Sequence, residues 1–74
     1  MKATIEFNLP EEEREHRRML KALDLVLAIN KMDNYLRSKV KYEELNDEAH
    51  NAFLSAREEL HSILNEYNIN LDEL

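Results

Sequence analysis

Three histidines, His16, His50 and His61, are the side chains best suited to ligate a metal or act as a base near neutral pH. They are scattered and no His-x-x-x-His pair occurs; Glu58 and Glu59 beside His61 are the acids that read as a ligand spacing. Cysteine is absent, so no thiolate can support a structural metal, and the histidines read as solvated surface groups. Asp24 and Asp33 fall near the apolar middle of a helical pattern, where a carboxylate could serve as a base in a cleft. Such groups more often pair with a cation across a bundle, and Arg37, or Lys31 of another subunit, is available for that. The chain also has no glycine, which excludes a glycine-rich phosphate loop. These residues predict neither an enzyme nor a cofactor site.

Two cationic clusters could hold an anion. Arg14, Arg17, Arg18 and Lys21 lie on adjoining faces of one helical pattern, where Glu11 to Glu15 can pair with them at i,i+4. The second cluster, Arg37, Lys39 and Lys41 with Tyr35 and Tyr42, offers cations for phosphate and a ring for a base, or simply stabilises a helix C-terminus. One helical hairpin is too thin to enclose a ligand, so a nucleotide signal held by this cluster would have to sit between subunits. Against these stand two acidic groups, Glu11, Glu12, Glu13 and Glu15 near the start of the chain and Glu58, Glu59 and Glu66 further on. They are candidate contacts for a basic partner surface, nucleic-acid mimicry included; the plainer reading is that they keep the protein in solution.

The elements that must position these residues follow from periodicity. Ala3, Ile5, Phe7 and Leu9 alternate with polar residues, which predicts a strand over about 3 to 9. No second strand pattern exists to pair with it, so the expected partner is the same strand of another subunit; the alternative is an extended arm lying on the helices. Pro10 followed by three glutamates marks a helix start, with Asn8 as the side-chain cap, and no breaker interrupts the pattern to about residue 40. That is one helix of about 45 Å. Residues 43 to 46 form the connection, Asn46 is suited to cap a second helix over about 47 to 67, and Asn68 to the left-handed position that ends it. Ile69, Leu71 and Leu74 form a short apolar tail.

The first helix centres on Met19 to Ile29, apolar nearly all round, and such a helix has to be enclosed by several neighbours. The rest of a 74-residue chain is too short to enclose it, and without cysteine no disulfide can compensate for a small core. The predicted fold is therefore mainly α: a short strand, a long helix and an antiparallel second helix in one domain, assembled as a homodimer or larger helical bundle. Ile5, Phe7, Leu23, Val26, Leu27 and Ile29 are the expected oligomer interface. The net charge of −6 argues against direct nucleic-acid binding. The apolar run, interrupted by Asp24, is shorter than the roughly 20 residues of a membrane span, and Met1-Lys2 leads into no signal peptide, so a cytoplasmic protein is expected.

Phe7-Asn-Leu-Pro-Glu-Glu12, Asp33 with Tyr35-Leu-Arg37, Lys39 with Val40-Lys-Tyr42-Glu43, and Arg57-Glu-Glu-Leu60 before Ile69-Asn-Leu71 give the chain a further character. In this order it resembles a group of small bacteriophage-encoded strand-helix-helix proteins of unknown function, over most of its length. The resemblance implies a phage accessory protein in the host cytosol, a class in which many small acidic products bind host proteins or host signals. The expected function is a non-enzymatic, oligomeric interaction protein that inhibits a host defence protein. The alternative is an oligomeric sponge for a small anionic nucleotide.

Overall fold

The computed structural model describes all 74 residues. Three α-helices, α1 (Glu13–Leu20), α2 (Ala22–Lys41) and α3 (Asp47–Glu66), are followed by a 3-10 turn, Leu71–Glu73, and there is no strand. The mainly helical expectation holds. α3 packs back along the C-terminal part of α2 as an antiparallel hairpin, in a register set by Tyr35 against Phe53 and by Asp33 against Arg57 and His61.

Helix α3 starts where a side chain can satisfy its free amides. Asn46 is extended (φ −66°, ψ 163°) and its Oδ1 accepts the Ala49 N–H at 2.8 Å, with Asp47 and Glu48 adding negative charge to the first turn. Past the other end Asn68 takes φ 57°, a left-handed position that asparagine tolerates well, and the Ile69 N–H returns to the Leu64 carbonyl at 2.8 Å. This reversal folds the tail back, so Ile69 and Leu71 are half-buried beside the hairpin while Leu74 stays exposed.

The first half of the chain departs from expectation in three ways. Residues 1 to 8 form no regular element, and Ile5, Phe7 and Leu9 lie beside His16, Met19 and Leu20. The predicted strand is thus an arm on α1: its alternating apolar side chains find a helix face, and the chain offers no second strand to bond its backbone. Phe7 and His16 rings meet at 5.3 Å, so His16 is half-buried and not a free surface group.

The expected single helix from Pro10 begins at Glu13 and is interrupted at Lys21. The N-cap position is Glu12, with no side-chain cap, and Asn8 instead closes the preceding turn: its carbonyl accepts the Glu12 N–H at 2.7 Å and its N–H donates to Glu12 Oε1 at 2.9 Å. At Lys21 (φ −93°, ψ 0°) the N–H is shared between the Arg17 and Arg18 carbonyls, yet Leu25 still bonds the Lys21 carbonyl at 3.0 Å. The hydrogen-bond ladder is perturbed there but continues into α2.

The third departure concerns the core. Leu36 and Leu64 are the only buried residues, and the middle of the apolar stretch is open, with Leu20, Leu23, Leu25 and Leu27 all more than half exposed. Twenty residues of α3 span only about 30 Å. Paired in the observed register, they cover α2 downstream of about Val26, and Met19 to Leu25 extend beyond their reach. The organising contact within one chain is therefore the Val26–Val40 face of α2 against α3, not the Met19–Ile29 run.

Candidate functional site

A cluster of charged groups sits where the two long helices cross. Asp33 on α2 faces Arg57 and His61, which stand one turn apart on α3. Arg57 Nε donates to Asp33 Oδ1 at 3.1 Å and His61 Nε2 lies 2.7 Å from the same oxygen. A carboxylate only accepts, so Nε2 carries the proton in this contact. The Asp33 side chain is only 15% exposed. Its partial burial opposes ionisation, but the hydrogen bonds from His61 and Arg57 together outweigh that and hold the carboxyl below its ordinary value. Asp33 does pair across the hairpin, with Arg57 and His61 in place of the expected Arg37. His61 remains a solvent-exposed side chain, as expected, but one that bonds Asp33 across the hairpin.

Beside this cluster runs a groove of about 620 Å³ between α2, α3 and the folded-back tail. Asn30, Asp33, Asn34, Arg37 and Lys41 form its α2 wall, Arg57, His61 and Asn65 its α3 wall, and Asn70 and Asp72 its tail side. Leu64, Ile69 and Leu71 are its apolar part. Sequence reasoning reached Arg37 and Lys41 but missed the asparagines and Arg57. Arg57 and His61 share a face of α3, which spacing alone could have flagged; that the tail closes the groove depends on the turn at Asn68.

The second cationic cluster is split by the helix. Arg37 and Lys41 face the groove, whereas Tyr35 and Lys39 lie on the other flank of the seam. There the Lys39 ammonium stands 5.4 Å from the Tyr35 ring centroid and 5.9 Å from that of Phe53, and donates to Glu43 Oε1 at 3.0 Å. The bond to Glu43 raises the Lys39 pKa against a smaller desolvation effect. Tyr42 is exposed just after α2. Arg37 and Lys41 thus serve one surface, and Tyr35 and Lys39 another.

No protein-family model, curated protein or solved structure matches this chain. Functional assignment therefore starts from its surfaces. Of the expected interface residues, Ile5, Leu23 and Leu27 are exposed, and Phe7, Val26 and Ile29 are half-buried. Glu11, Glu12, Glu13 and Glu15 lie on α1 and the turn before it, where Glu13 pairs with Arg17 at 3.1 Å and Glu12 bonds Asn8. Glu58, Glu59 and Glu66 are exposed on α3. The two acidic groups therefore belong to separate elements. No group of three His, Asp or Glu side chains is close enough to hold a metal, and no helix is long and apolar enough to cross a membrane.

Proposed function

We propose that this chain is a non-enzymatic interaction protein that works as a homodimer or larger oligomer, with the exposed leucines of the α1–α2 segment as its self-association surface. The supporting observation is area. A compact monomer of 8.8 kDa exposes about 4,800 Å² by the usual scaling. This chain exposes 6751 Å², an excess of about 2,000 Å² over that scaling. An excess of this size per chain matches the range of obligate subunit interfaces, and Leu20, Leu23 and Leu27, which share one helix face, provide the apolar surface such interfaces need.

Assembly would leave the outer carboxylates of α3 and those around the start of α1 free to oppose a basic protein surface. Together with the resemblance to small phage proteins, that supports an accessory role in which the oligomer occupies and inhibits a host defence protein. The sponge alternative, in which the whole cluster holds a nucleotide between subunits, loses support because Tyr35 and Lys39 are engaged away from Arg37 and Lys41.

Sedimentation of the wild-type chain and of Leu27→Asp tests the assembly. Leu27 is 52% exposed in one chain, so a charge there is tolerated by the monomer but, buried and unpaired in an interface, costs several kcal/mol. Wild type should sediment as an oligomer and the variant as a smaller species. A stable, fully helical wild-type monomer at micromolar concentration overturns the proposal.

A further inference from the structure

The groove holds cations that the fold does not use. Arg37 and Lys41 stand one turn apart on the groove side of α2, and neither forms an ion pair within the chain. Lys39, between them in sequence, is tied to Glu43, and Arg57 is tied to Asp33. Two adjacent unpaired cations suit a multiply charged oxyanion better than a single carboxylate, because a guanidinium fork binds two oxygens at once and an ammonium adds a second point charge.

The rest of the lining fits the same ligand class. Asn70 lines the groove and its Oδ1 accepts the Asp72 N–H at 3.0 Å, so its amide N–H groups are the part left free to donate to a ligand. Asn34 and Asn65 add further amides on the two helix walls. Leu64, Ile69 and Leu71 provide an apolar floor next to these donors. At about 620 Å³ the groove falls within the range of small-molecule sites, about 300–1,000 Å³.

Local charge supports an anion in spite of the acidic chain. Arg37, Lys41 and Arg57 against Asp33 and Asp72 leave the lining at +1, so the remainder of a chain at −6 carries −7. Asp33 is already neutralised by Arg57, whereas Asp72 repels an anion on the tail side, which steers the charged end of a ligand toward Arg37 and Lys41. A long polyanion would have to cross the acidic surroundings, and a compact anion would not.

We infer that the groove between α2, α3 and the C-terminal tail is a binding site for a phosphate-bearing small molecule of nucleotide size. Its phosphates lie on Arg37 and Lys41, and its organic part lies over Leu64, Ile69 and Leu71. Contrary to the expectation that a hairpin alone is too thin, the folded-back tail adds Ile69, Asn70 and Leu71 to the two helix walls, so this site belongs to a single chain and stands or falls separately from the self-association proposed above.

Calorimetric titration of the full chain with pyrophosphate, AMP, ATP and a twenty-nucleotide RNA tests it, with backbone amide NMR to locate the contact. ATP should bind more tightly than pyrophosphate, with shifts centred on residues 34 to 41 and 64 to 72. Arg37→Gln should weaken ATP about tenfold, as loss of a charge-assisted contact does, and Lys41→Gln several-fold. Both side chains are exposed, so the variants should keep wild-type circular dichroism, and Lys39→Gln, on the opposite flank, should bind as wild type. Failure of every phosphate to bind at millimolar concentration, or binding unchanged in Arg37→Gln and Lys41→Gln, overturns the site. Equal affinity for pyrophosphate and ATP overturns the nucleotide-sized assignment, and tighter binding of the RNA overturns the small-molecule one.

Discussion

Asp33 is the carboxylate that ties the two long helices to each other, and its position makes it sensitive to acid. Its folded pKa is depressed, so the stabilisation it gives is present above its unfolded value, about 3.9, and is lost as pH falls through the lower folded value. Replacing Asp33 by Asn should therefore cost about 1–3 kcal/mol at neutral pH, since it leaves Arg57 without its counter-charge in a half-covered place. The gap between wild type and variant should narrow as pH falls through the lowered folded value of Asp33. Urea unfolding followed by circular dichroism at a series of pH values measures this, and a constant gap down to pH 2 would contradict it. The sequence showed that Asp33 would seek a cation across a bundle. Which cation it found depended on the register of α3, and i,i+4 spacing pointed to Arg37, which instead turns into the groove.

At the scale of elements, the signals that held were local ones. Asn46 before two acids, the apolar repeat from Ala49 to Tyr67 and the left-handed Asn68 each depend on a few neighbouring residues, and each appears where the chain predicts it. The strand and the unbroken first helix failed for the opposite reason. An alternating segment is satisfied by any apolar surface, and here α1 supplies one before another strand can. The interruption at Lys21 carries no proline or glycine signal, since neither residue type lies near it. If the arm is held only by α1, deleting residues 1 to 8 should raise amide exchange in Glu13–Leu20 and leave exchange across α2 and α3 downstream of Val26 unchanged. Exchange that rises equally throughout the hairpin would show instead that the arm supports the whole fold.

The whole molecule is long and thin. Its radius of gyration is 17.1 Å, against about 11 Å for a compact domain of the same length, and its extents are 53 × 29 × 19 Å. Two buried leucines make a small core for a 74-residue domain, so association is expected to carry part of the stability. In that case the midpoint of thermal unfolding should rise with protein concentration, by several degrees over a hundredfold range. A midpoint independent of concentration over that range would place all the stability in the single chain.

By itself the sequence determined helix content, the hairpin connection, the caps of α3 and the excess of apolar surface over what one short chain can enclose. These follow from periodicity, side-chain hydrogen bonding to nearby backbone and simple area scaling, none of which requires knowing what touches what. Only the tertiary structure decided that Leu36 and Leu64 form the core while Leu23 and Leu27 remain open, and that Arg37 and Lys41 part company with Tyr35 and Lys39. It also brought Asn70 back beside α2 and α3. Those outcomes depend on the rotation and length of α3 against α2 and on the reversal at Asn68. Each is a relation between segments far apart in the chain, which no local spacing encodes.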